Sequence, residues 1–115
     1  MYKTAYAQEA GESLKTLRDG ERQVFEQSIA LLEKAEAEGA GTMAATEAIV
    51  FVRRLWTLLL EDLSNEENAL PAETRASFIS IGLWMLKESD EIRLGKSNNF
   101  KALIDVTSSI RDGLK

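Results

Sequence analysis

Residues 53–84 read RRLWTLLLEDLSNEENALPAETRASFISIGLW, and they contain two helices and the joint between them. Leu55, Trp56, Leu59, Leu60 and Leu63 continue a series begun at Ala45, Ile49 and Val52. Steps of three and four residues stack these side chains on one wide face of a helix. A polar connection follows at 64–70. Pro71 then opens a second helix at its first position, where a missing N–H costs nothing. The centre of that helix, residues 78–86, is apolar on almost all sides. Such a helix is either surrounded by others or presents a sticky face. Both helices are too apolar to stand alone, and nothing between them is built for catalysis, so a helical module that binds a partner is expected.

Two more helices complete the chain. Residues 13–38 place Leu14, Leu17, Val24 and Leu31, then Phe25, Ile29 and Leu32, on one broad face. Gly20 interrupts this segment at a cost of about 1 kcal/mol relative to Ala, which predicts a kink or a start nearer Asp19. Gly39 and Gly41 stop it, because glycine readily takes the left-handed cap conformation, and Thr42 caps the helix that runs to about Leu63. Gly95 ends the third helix. Ser97 or Asn98 caps a fourth, running through Phe100, Leu103, Ile104, Val106 and Ile110. The connections at 39–41 and 95–97 are short enough to force antiparallel neighbours. The predicted fold is all-α: a single-domain four-helix bundle, up-down-up-down, over residues 13–115. An N-terminal arm, residues 1–12, precedes it, with Tyr2 and Tyr6 as possible anchors on the bundle.

Composition narrows the function. The chain has 115 residues, room for one core, and a net charge of −5 spread over both halves. The basic stripe of a nucleic-acid binder is absent. With no cysteine there is no disulfide or thiolate chemistry, and with no histidine the commonest neutral-pH base and transition-metal ligand are missing. The carboxylate clusters at 33-36-38, 66-67 and 88-90-91 match neither an EF-hand nor the Glu-x-x-His pairs of bundle metal sites. They read as solvated helix faces. Asp105 and residues 107–109 lack a base that could activate a hydroxyl. No enzyme activity, cofactor or metal is expected. No apolar run approaches the roughly 20 residues needed to span a bilayer, and the first residues lack a signal-peptide core. A cytoplasmic protein is the expectation.

The candidate site is therefore a surface. Trp56 and Trp84 each have a core reading and a groove reading, the latter because Trp is enriched among interface anchors. The apolar surplus around 78–86 places the candidate groove between the second and third helices, with Trp56, Leu59, Leu60, Phe78, Ile81 and Trp84 as partner-binding residues. Mid-helix Gly82 implies close approach of another helix. Arg53 and Arg54 have no acid four residues away, which leaves one of them free to bridge to another helix. Glu61 and Asp62, at an end where the helix dipole disfavours negative charge, call for solvent or a basic neighbour such as Arg75.

The order and spacing of several motifs resemble the FlaF family of flagellar regulators over nearly the whole chain. They are Tyr2 with Tyr6, SIALLE at 28–33, RRLW at 53–56 running on to EDL at 61–63, NALP at 68–71, ISIGLW at 79–84, and Asn99 and Phe100 through LIDVT at 103–107 to Ile110 and Arg111. No single motif is diagnostic; their succession carries the resemblance. It implies a role in controlling flagellin output together with a companion regulator, FlbT, most concretely as a cytoplasmic chaperone that holds flagellin before export. Flagellin has long amphipathic terminal helices, which a small bundle can cover in the helix-in-groove manner. The rival reading is a post-transcriptional regulator acting on flagellin message, directly or through FlbT. Direct RNA contact fits poorly with a pI near 4.8 and no stacking platform. A third reading is an adaptor that homodimerises weakly through the same apolar patch.

Overall fold

The computed structural model describes residues 10–113, with side chains from Arg22 onward. It contains four helices: α1 (Ala10–Glu38), α2 (Met43–Leu63), α3 (Ala72–Arg93) and α4 (Phe100–Gly113). The expected all-α bundle is the fold. α1 packs against α2 and α4, α2 packs against α3, and α3 meets α4 only sparsely. Antiparallel neighbours result, and the long axis of 43 Å is about the length of the 29-residue α1 at 1.5 Å per residue. No helix of the described residues is long and apolar enough to cross a membrane.

Local chemistry sets the boundaries. Gly39 (φ 97°) and Gly41 (φ 82°) take left-handed backbone and turn the chain between α1 and α2. Thr42 Oγ1 accepts the Ala45 N–H at 3.2 Å and donates to the Gly39 carbonyl at 2.7 Å, capping α2 as expected. Three expectations are corrected. α1 begins at Ala10 rather than Ser13 and passes through Gly20 without a break, because one glycine's propensity cost is small against the packing of a long amphipathic face. Pro71 is the N-cap, one residue before the helix; its ψ of 146° is extended, and its carbonyl accepts the first helical bond, from Arg75 N at 2.9 Å. The cap of α4 is Asn99, whose Oδ1 accepts the Ala102 N–H at 3.2 Å. Ser97 is committed elsewhere, donating to Glu88 Oε2 at 2.7 Å and accepting the Asn99 N–H. Tyr2, Tyr6 and most of the proposed arm lie outside the described residues.

The connection from α2 to α3 is built around Asn68, which is buried. Its Nδ2 donates to the Asp62 carbonyl at 3.3 Å and to Asp62 Oδ2 at 3.1 Å, and its Oδ1 accepts the Leu70 N–H at 3.0 Å. Arg75 reaches back to the Asn65 carbonyl at 3.2 Å. The acidic end of α2 is thus partly answered by an amide rather than by solvent alone. Asn68→Ala removes the side-chain partners of three groups at once and is expected to cost about 1–3 kcal/mol, read as a lower urea midpoint with an unchanged slope.

The core is one cluster. Phe25, Leu32 and Ala35 of α1 meet Ala45, Ala48, Ile49, Val52, Trp56 and Leu59 of α2, Met85 and Ile92 of α3, and Phe100 and Leu103 of α4. Its two buried hydroxyls in α3 and α4 are satisfied within their own helices: Ser89 donates to the Met85 carbonyl and Thr107 to that of Leu103, both at 2.6 Å.

Candidate partner-binding surface

α3 docks on α2 through a residue with no side chain. A Cβ built on Gly82 would lie 2.8 Å from both Leu60 Cδ2 and Trp56 Cε3, so only glycine allows this approach. The close neighbours are side chains of α2 rather than its backbone. Alanine here would gain about 1 kcal/mol of helix propensity and valine somewhat less. The tip of Leu60 can swing aside, but the Trp56 ring is only 1% exposed and cannot. Gly82→Val is therefore expected to destabilise the bundle by about 1–3 kcal/mol net, measured by chemical denaturation.

Gly82 also sets the rotation of α3. With 100° per residue, the row that faces α2 is Ile79, Gly82, Leu86 and Asp90. At its far end Arg53 Nη1 donates to Asp90 Oδ1 at 2.8 Å, and Arg93 adds a second contact to the same carboxylate at 3.1 Å. The expected bridge from this arginine pair to another helix is made by Arg53. All three side chains are well exposed, so the pairing is worth under about 1 kcal/mol; its consequence is to pin the register of the two helices.

This rotation divides the six residues expected to form the groove. Trp56 and Leu59 are buried in the core, and Trp56 stacks obliquely near Phe25, with ring centroids 6.3 Å apart. As the helices stand, neither can touch a partner. Ile81 and Trp84 are partly buried, lie on the flank of α3 away from α2, and pack against the core. Phe78 is partly buried. Only Leu60 lines an open groove between α2 and α3, a shallow depression of about 470 Å³ walled by Thr57, Leu60, Glu61, Ser64 and Leu86. On the same side of α3, Leu83 is 59% exposed. Of the six residues expected to form a groove, this depression takes Leu60 alone; Thr57, Glu61, Ser64 and Leu86 complete its lining. The signal that could have found Leu86 is Gly82 itself: a glycine facing α2 brings position 86 to the depression and, at 100° per residue, turns 81 and 84 away.

The depression mixes leucines with Thr57, Ser64 and the Glu61 carboxylate. Among the described residues no group of His, Cys, Asp or Glu could hold a metal ion.

A protein-family model described as "Flagellar protein FlaF" matches residues 2–114. No curated protein and no solved structure gives a significant match.

Proposed function

We propose a role for this chain from one premise: it belongs to the FlaF family of flagellar proteins. Within a flagellar function, its work is to hold flagellin in the cytoplasm before export, by covering one amphipathic terminal segment. The observation that carries this reading is the apolar shelf between α2 and α3, where Leu60 and Leu86 form the floor and Leu83 stands exposed beside it. A partner helix laid there covers those leucines and meets Thr57, Glu61 and Ser64 with its polar edge. Binding is the chemistry on offer, and we assign no catalytic step. The net charge of −5 supports contact with protein over direct contact with flagellin message.

Co-purification with flagellin truncated at either terminus tests the proposal. Full-length flagellin and one of the two truncations are expected to be retained, and the other truncation lost. Failure to retain full-length flagellin overturns the reading. Retention only when FlbT is added moves the contact to that regulator.

A further inference from the structure

The outer face of α2 carries a pattern that the flagellin reading leaves unused. Met43 is 75% exposed, Val50 45% and Leu58 61%, three of the five exposed large apolar side chains among the described residues. Glu47 and Arg54 are exposed between them. With 100° per residue these five positions fall within about 80° of arc, directly opposite the buried row formed by Ala45, Val52, Trp56 and Leu59. None of the five can turn inward to the core, and among the described residues neither Glu47 nor Arg54 forms an ion pair. They are seven residues apart, about 10 Å along the helix, and so too far to satisfy each other.

The stripe is complementary to itself. Glu47 and Arg54 are equidistant from the peptide bond between Val50 and Phe51, and so are Met43 and Leu58. A two-fold axis at the level of that bond, lying between the two helices with the second α2 antiparallel, pairs Glu47 with Arg54 twice and Met43 with Leu58 twice. Val50 meets its own copy on one side of the axis, and the partly buried Phe51 meets its copy on the other. Such an isologous contact is closed and adds no further subunits. A parallel pairing would set Glu47 against Glu47 and Arg54 against Arg54, which like-charge repulsion disfavours.

We propose that the outer face of α2 is a self-association surface, through which two copies of this chain form an antiparallel dimer centred between Val50 and Phe51. The contact runs about 22 Å along one helix. It buries less than the roughly 1,200–2,000 Å² of a stable interface, so the dimer is weak, with a Kd on the order of 100 μM. It weakens further with salt, because its charge pairs lie at the rim. The face is centred about a quarter-turn around α2 from the centre of the flagellin shelf and meets it at Glu61, and Glu47, Arg54 and Leu58 do not line the shelf.

Charge exchange is the decisive experiment, since every position altered is exposed and the fold is not at stake. Glu47→Arg and Arg54→Glu each place like charges together twice. Each variant alone is expected to be monomeric in analytical ultracentrifugation at concentrations where the wild type shows dimer, with Kd raised at least about tenfold. An equimolar mixture of the two variants brings opposite charges together again and is expected to sediment as a heterodimer. Leu58→Asp is expected to abolish association in the wild-type background. The proposal is overturned if the wild type stays monomeric at millimolar concentration, if the charge variants associate as well as the wild type, or if the mixture shows no heterodimer. It is also overturned if Leu58→Asp leaves self-association intact and instead removes flagellin binding, which would assign this face to flagellin. Failure of the wild type to bind flagellin at all, with its self-association as expected, would count against the shelf and leave this interface standing.

Discussion

Trp56→Ala is expected to bring the protein to the edge of unfolding. The ring is 1% exposed, lies against Phe25 and meets α3 directly at Gly82. Removing it takes away contacts to α1 and α3 and leaves a cavity that helices held by short connections cannot close. Substitutions of this kind cost about 3–5 kcal/mol, against a total stability of about 5–15 kcal/mol for a typical domain. Urea or thermal denaturation should show a large loss or no cooperative transition at all. Trp84→Ala, on a ring that is only partly buried against the core, should cost clearly less. Equal losses for the two would contradict the rotation assigned to α3.

That contrast marks the limit of what the chain discloses unaided. Both tryptophans stand mid-helix among leucine and isoleucine, and local periodicity treats them alike. The difference is tertiary: Gly82 turns one row of α3 to α2, which seals Trp56 and sends Trp84 to the other flank. The helices themselves are legible because their causes are local, namely the glycine turn at 39–41, the Thr42 cap and the apolar row of α2. The cap of α4 is less legible because Ser97, Asn98 and Asn99 are equally able to serve. Only the long-range bond from Ser97 to Glu88 removes one of them. Arg53 has the same history, since its partner Asp90 is on another helix and invisible to any rule about positions three or four residues away. The lining of the depression between α2 and α3 was not legible, because apolar residues on α3 are too numerous to assign to a face without the helix rotation.

Leu83→Asp is expected to remove flagellin binding and leave the fold intact. Leu83 is 59% exposed, so a carboxylate there stays hydrated, and the unfolding free energy should stay within about 0.5 kcal/mol of wild type. A partner helix covering the shelf would have to desolvate that charge beside apolar surface. A loss of at least about 2 kcal/mol of binding free energy, a roughly 30-fold weaker Kd, is expected. Leu60 and Leu86 are less useful probes, since they pack the seam between α2 and α3 and their replacement mixes stability with binding.

Calorimetric titration of purified flagellin into the wild-type protein and the Leu83→Asp variant, both shown to be folded by circular dichroism, tests the flagellin shelf most directly. A saturable one-to-one interaction with the wild type that is lost or weakened at least about 30-fold by Leu83→Asp is the predicted result. No binding to the folded wild type, or equal affinity for the two proteins, would contradict it.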